Sequence, residues 1–402
     1  MKSIRTVFKI GQGPSSSHTV GPFNAAKYIK KRYFDADAYK VVLYGSLAFT
    51  GGGHGTMSAI KRVIPNAEIL LDTKTTDIPH PNTMDFISYK DGKEINKTRI
   101  LSIGGGLVNI VGEDNPLNEE VYEQKNLGEV LEYCKKNNMT ISEFVYKFED
   151  GKIKDYLAKI WRAMEACVEK GLKTEGVLPG ELKLTRKAKL LYNSRSHDEN
   201  EDTTMDRLLS AFSYAVCEEN ASEELVVTAP TCGSCGVIPS CMYYFKYCKG
   251  YTDDEIIDAL AVCAIIGDVI ITNASVSGAE CGCQAEVGSA CSMAAAGVAQ
   301  LFGLNIDQIE YAAEVAMEHN LGLTCDPVKG LVQIPCIERN AVAAMRAINA
   351  VNLSRFLYKT RRISFDEVIE TMYRTGLDMD KKYRETANGG LAAIYKEYKD
   401  NE

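Results

Sequence analysis

The chain has no stretch suited to crossing a bilayer: its longest apolar run, Ile256 to Ile271, carries Asp258 and Asp268 and falls short of the roughly 20 apolar residues a spanning helix needs. No membrane partner is therefore expected. The N-terminus, Met1 to Ile10, is charged and lacks the apolar core of a signal peptide, which points to a cytoplasmic address. No Lys/Arg stripe interleaved with aromatics occurs, and the net charge is −8, so nucleic acid is not expected as a partner. Phosphate-cradling loops are missing too, both the GxxxxGK type and the glycine fingerprint between strand and helix.

What is present in quantity is cysteine, with thirteen in 402 residues. Without a secretion signal these read as reduced thiols and metal ligands rather than a disulfide framework. The apolar share of 45% and charged share of 25% are those of an ordinary globular protein, and the length predicts two domains.

The fold class expected is α+β: a small mixed domain over residues 1–115, then a larger, mostly helical domain over 116–402. In the first part Tyr39 to Leu47, Ala67 to Leu71, Phe86 to Tyr89 and Thr98 to Ile103 read as strands. Gly51 to Gly55 and Gly104 to Gly106 each read as a turn closing a strand. The polar segment Gly112-Glu-Asp-Asn-Pro116 is the expected boundary. Beyond it, Thr140 with Glu143, Thr252 with Glu255, Asn305 with Gln308 and Ser364 with Glu367 mark helix starts by capping boxes. The helix from about Glu255 to Ile271 is apolar nearly all round and is expected to be a buried spine. Leu191 to Thr204 reads as a surface loop.

Three cysteines stand beside helix breakers or polar turns: Cys283 in Gly-Ala-Glu-Cys-Gly-Cys-Gln, Cys325 in Leu-Thr-Cys-Asp-Pro-Val and Cys336 in Ile-Pro-Cys-Ile-Glu-Arg-Asn. Their gaps of 42 and 11 residues match no paired zinc-ligand spacing. An iron–sulfur cluster tolerates such spacing, and a four-iron cluster held by three thiolates leaves one iron open as a Lewis acid. The spacing alone leaves a plainer alternative open, that all three are buried small hydrophobes. Cys281 is a rival ligand, and Cys232 with Cys235 forms a CxxC in a small-residue loop.

In the first part, Gly13-Pro-Ser15-Ser16-Ser17-His18-Thr19 precedes an amphipathic helix. Hydroxyls and N–H groups at a helix start suit a small carboxylate; equally, Ser17 or Thr19 is a simple cap. His18 and His54 lie in serine-rich and glycine-rich turns, which are expected to expose an imidazole to a ligand. His80, in His-Pro-Asn-Thr-Met, reads equally well as structural.

These stretches together resemble the iron–sulfur-dependent L-serine dehydratases, in the single-chain form with both domains fused. The resemblance runs in order through Gly13–Pro22, Leu43–Ala48, His80–Met84, Glu175–Gly180, Thr228–Thr231, Gly278–Gln284, Cys325–Val328, Pro335–Asn340, Gly376–Met379 and Glu385–Ala392. It implies a 4Fe-4S cluster on Cys283, Cys325 and Cys336, with His18 and His54 at the substrate. It also implies a substrate pocket including Ser15, Ser16, Ser17, Thr19 and Asn273, and possible pairing as a homodimer. The implied reaction is β-elimination of water from L-serine to give pyruvate and ammonia, with His54 as base and His18 as carboxylate or orienting partner. The chain departs from the pattern in a shorter first part and in a tail without a cysteine, so self-blocking by a terminal thiolate is not expected. Rival readings are a hydro-lyase for threonine or another small hydroxy acid, a pyridoxal enzyme, and a non-catalytic iron–sulfur or thiol sensor.

Overall fold

A computed structural model describes residues 1–50, 53–113 and 120–396. The expected boundary at 115/116, the first two glycines of the Gly51 run and the end of the tail lie outside the described residues.

The mixed part is a five-stranded sheet in the order β3-β2-β4-β5-β6, built from β2 (Ala38–Tyr44), β3 (Glu68–Asp72), β4 (Thr83–Lys90), β5 (Lys93–Ser102) and β6 (Val108–Ile110). β2 and β3 are parallel, with Val42 opposite Leu70, and the other pairs are antiparallel. Period-2 alternation sends Val41, Leu43, Phe86 and Ile100 to one face, where Ala25, Ala26 and Ile29 of the helix Gly21–Arg32 cover them. β2 stops at Tyr44, short of the expected Leu47. Gly45, at φ +53°, turns the chain into the helix Gly45–Thr50 so close to Pro81 that a Cβ would lie 2.4 Å from its carbonyl oxygen. The glycine run after Thr50 therefore separates two helices, Gly45–Thr50 and Thr56–Val63, instead of closing a strand. The turn Gly104–Gly106 does follow β5.

The larger part is helical, and Asp253–Asn273 is its spine, buried along nearly its whole length from Ile256 to Ile270. All four expected capping boxes form, each with side chain and backbone exchanging hydrogen bonds. A fifth, Asn200 with Thr203, opens the helix Glu201–Ala221, so the expected loop over 191–204 narrows to a short link after the helix Ala188–Asn193. No helix among the described residues is long and apolar enough to cross a membrane.

The first dozen residues pack with the helical part. Ile4, Val7 and Phe8, spaced to share one face, are fully buried in its core, and β1 (Lys9–Gln12) pairs antiparallel with β7 (Leu225–Thr228). The chain then crosses to the sheet through Gly13–Thr19, which places that loop between the two parts.

Candidate active site

The Ser15–Thr19 loop is a turn of π-helix, Ser16–Val20, feeding directly into the helix Gly21–Arg32. Its cap is Ser15, whose hydroxyl accepts from the His18 N–H at 3.2 Å, not Ser17 or Thr19. The Thr19 hydroxyl donates to the His54 carbonyl at 2.5 Å and ties the two histidine loops together.

Both imidazoles are buried, contrary to the exposure expected of such turns; their ring centroids lie 4.6 Å apart. Packing was invisible in the local sequence because the cover comes from remote segments. The Ser46 hydroxyl donates to the Glu385 carbonyl at 2.8 Å, so it accepts from His18 Nε2 at 2.9 Å. His18 Nδ1 then accepts from the Ser17 hydroxyl at 2.8 Å, and Ser17 lies 3.3 Å from the Ser15 hydroxyl. Both nitrogens of His18 are thus occupied. His54 Nδ1 has one partner, the Thr50 carbonyl at 3.2 Å, which fixes the proton there and leaves the Nε2 lone pair free. Burial drives the His54 imidazole down to about 4, and burial with the neighbouring His54 drives His18 well below the usual value.

Glu385 stands against both rings, its Oε1 3.4 Å from His18 Nδ1 and 3.7 Å from His54 Nε2. Burial, then the nearby Glu286, pushes its carboxyl well above the usual range. Burial therefore disfavours charge on all three groups until a partner of opposite sign arrives beside them. Their ligand-capable atoms fall within 4.8 Å of one another, but the occupied nitrogens of His18 leave it without a free lone pair for a metal.

Across from the imidazoles, three separate segments bring sulfur to the same pocket. Cys283 precedes a π-helical turn, Gln284–Gly288; Cys325 lies in the loop before the turn Val328–Gly330; Cys336 opens the helix Cys336–Leu357. All three line one pocket with Ser15, His54, Gly233, Glu286, Arg339 and Glu385. The Cys325 loop is pinned by Asp326, which accepts from Arg339 at 3.1 Å and from the Leu391 N–H at 2.8 Å. It is also pinned by a parallel bridge in which the Cys325 N–H donates to the Tyr383 carbonyl and the Glu385 N–H to the Cys325 carbonyl, each at 2.8 Å.

Two models of known families match the chain: the serine dehydratase beta chain over residues 3–64 and the serine dehydratase alpha chain over 104–392. The L-serine dehydratase of Haemophilus influenzae is 40% identical over 449 aligned positions, covering 98% of this chain and 99% of that protein. L-serine dehydratase 1 of Escherichia coli is 40% identical over 98% of this chain and 99% of its own length. The Streptomyces coelicolor L-serine dehydratase is 38% identical over 97% and 98%. The chain belongs to the serine dehydratase family.

The resemblance to this family implies an iron–sulfur cluster in the pocket, and the side chains there bear on whether it fits. Thiolate sulfur is the donor such clusters take, and burial, each other and nearby carboxylates push the thiols of Cys325 and Cys336 well above their usual value. Cys283 rises by burial to about 11, with Arg339 opposing. Three thiols so arranged resist ionising together unless a cation takes their charge. Burial disfavours the Arg339 charge, yet the sulfurs of Cys283 and Cys336 and the Asp326 carboxylate outweigh that and hold it cationic. Room beside the sulfur is kept by glycine: a Cβ on Gly278 would lie 3.0 Å from Cys325 Sγ and 2.6 Å from Glu286 Oε2. The donor set fits the group.

The remaining candidates of this serine dehydratase chain fall outside the pocket. Asn273 is exposed at the end of its helix, its amide donating to the carbonyls of Lys125 and Val269; the helix end, not a ligand, uses its polar group. Ser16 and Ser17 are buried in the loop behind Ser15. Cys281 faces Gly376 on the helix Phe365–Asp378, and Cys232 and Cys235 are free buried thiols after β7. His80 Nδ1 accepts from the Asn82 N–H at 3.0 Å, a structural bond. Sequence reasoning gave no role to Ser46, Glu286, Thr231, Arg339 or Glu385. Their signal was modest, each lying in or beside a stretch that resembles the family.

Proposed function

We propose that the chain is an L-serine ammonia-lyase that removes water from L-serine by β-elimination and yields pyruvate and ammonia. The observation that carries the reading is the meeting of the His54 imidazole, with the His18 ring 4.6 Å from it, and three thiols at one pocket, in a chain 38–40% identical over nearly its full length to L-serine dehydratases. A 4Fe-4S cluster held by Cys283, Cys325 and Cys336 would supply, when bound, a Lewis acid for the poor hydroxide leaving group.

The chain's own residues do the rest. His54 Nε2 takes the α-proton: its lone pair is free, the Thr50 carbonyl holds the other nitrogen in the protonated form, and the neutral ring persists at pH 7. His18 acts as an orienting partner, because its two nitrogens close a hydrogen-bonded chain from Ser17 to Ser46. Ser15, at the pocket wall and at the start of a helical turn, faces the substrate carboxylate. As the α-proton leaves, the Cα–Cβ double bond forms and the Cβ–O bond breaks. The aminoacrylate released tautomerises and hydrolyses in water.

The test is anaerobic purification with iron and sulfide, followed by pyruvate and ammonia assays with L-serine and L-threonine. Broad visible absorption that disappears in air, together with pyruvate from L-serine, is expected. Each of Cys283→Ser, Cys325→Ser and Cys336→Ser should lose both. Absorption without pyruvate would make the chain a sensor, and faster turnover of threonine would change the substrate.

A further inference from the structure

The two carboxyl oxygens of Glu385 face different surroundings, and neither receives a proton from the imidazoles. Oε1 lies against the two imidazoles, while Oε2 is buried with no hydrogen bond; the Ala279 N–H, the one group that favours the carboxylate, is the weakest influence on it. The residue is almost wholly enclosed at 4% exposure, on a wall of the pocket shared with His54 and the three cysteines. Its backbone is held at φ +56°, a conformation a non-glycine residue adopts at some cost. Bonds at both ends hold it there: its N–H donates to the Cys325 carbonyl and its carbonyl accepts from the Ser46 hydroxyl.

The other two acids of the pocket are already used. Asp326 takes Arg339, the Thr324 hydroxyl and the Leu391 N–H. Glu286 takes the Thr231 hydroxyl at 2.8 Å and lies 3.9 Å from Cys325 Sγ. Neighbouring Arg384 turns away, donating to the Glu280 carbonyl. Among the described residues, Glu385 forms no ion pair with a lysine or arginine, and a buried acceptor left without a donor is costly.

A donor arriving with the substrate would satisfy it. The proposed substrate carries an ammonium on the same carbon that loses its proton, and Glu385 stands within 3.7 Å of the nitrogen assigned to take that proton. We infer that Glu385 binds the α-ammonium of the substrate, so that the pocket selects α-amino acids over the corresponding hydroxy acids lacking nitrogen. The inference rests on the reading under Proposed function and adds the group that reads the amine. Holding the nitrogen as ammonium also withdraws electrons from Cα and makes its hydrogen easier to remove.

The experiment compares ligands with and without the ammonium on the loaded protein. In the unaltered protein, L-alanine should bind at least tenfold more tightly than propanoate by calorimetry. In Glu385→Gln, KM for L-serine should rise at least tenfold while Ki for 3-hydroxypropanoate changes less than twofold and the visible absorption per chain is kept. Glu385→Asp should restore part of the loss. If both ligands weaken equally in Glu385→Gln, or kcat falls with KM unchanged, Glu385 only positions the imidazoles and the inference is overturned. Should the variant fail to fold, equal affinity of the unaltered protein for L-alanine and propanoate overturns it instead. Loss of the earlier reading is recognised separately, as absence of pyruvate from L-serine, and the calorimetric comparison then still decides what the carboxylate reads.

Discussion

His18 and His54 sit one ring apart, yet only one has a nitrogen to spare. His18 is bonded on both sides, whereas the Nε2 of His54 faces the pocket and Glu385. A general base needs a free lone pair and a neutral ring, and contributes about 10²–10⁴ in rate. His54→Gln should therefore lower kcat by about 10²–10³ with KM for L-serine changed only a few-fold. His18→Gln should act more through KM, since it disturbs the serine loop. Steady-state kinetics on the two variants checks the split; a kcat loss confined to His18→Gln would reverse the roles. The residues of the serine and glycine turns were legible because each turn is a local pattern with a chemical reason. Glu385 was not, since its neighbours His18, His54 and Cys325 come from both parts of the chain and no local spacing announces them.

At the scale of elements, what the sequence disclosed was what is decided within a few residues. A capping box needs four residues, and all four expected boxes form; Asn200 escaped because Thr203 stands where glutamate or glutamine is the usual signal. β2 ran too long in the sequence because the apolar Leu47 continues the run, whereas the turn at Gly45 lies against Pro81 from another segment. The spine helix contains one conflict. Neither carboxyl oxygen of Asp268 has a partner; burial pushes the group up to about 8, with the Met1 ammonium pulling down and Glu149 pushing up. The folded value lies above the unfolded one of about 3.9. Between about pH 4 and 8 the folded protein therefore holds a proton that the unfolded chain has released, and stability is lost as pH rises through that window. Asp268→Asn has no such proton, so relative to the unaltered protein it should gain on the order of 2–4 kcal/mol between pH 5 and pH 8. Urea unfolding at the two pH values measures this, and parallel changes in both proteins would contradict it. A second element-scale prediction concerns the helix Phe365–Asp378, which approaches the cysteine segment through Gly376. A Cβ there would lie 2.5 Å from the Cβ of Cys281 and 2.7 Å from its Cα. Gly376→Ala should cost about 1–3 kcal/mol and lower the visible absorption per chain, because the Cys281–Cys283 segment must move. Gly151→Ala, with nothing within 4 Å of the new methyl group, is the matched control.

At the scale of the whole molecule, the pocket exists only where the two parts meet, and the crossing of the chain arranges that meeting. The arm of residues 1–12 is built into the helical core, so the serine loop that follows emerges already against it, whereas its partner His54 belongs to the sheet side. The α+β character could be read from the strand and helix patterns; the arm's allegiance could not, because Ile4, Val7 and Phe8 suit either core. Gly13 is where the loop touches the helical part most closely. A Cβ on it would fall 2.2 Å from the carbonyl oxygen of Asn220, a backbone atom that cannot swing aside, while the Gly13 N–H donates to the Glu224 carbonyl and the Asn220 amide to the Pro14 carbonyl. Gly13→Ala must lift Ser15 and His18 from their places while leaving Cys283, Cys325 and Cys336 on the helical side untouched. L-serine turnover should then fall at least tenfold, the scale of a misplaced positioning group, with visible absorption per chain unchanged. Loss of absorption in step with activity would mean that the loop supports the sulfur side as well, and full activity would remove the serine loop from the site.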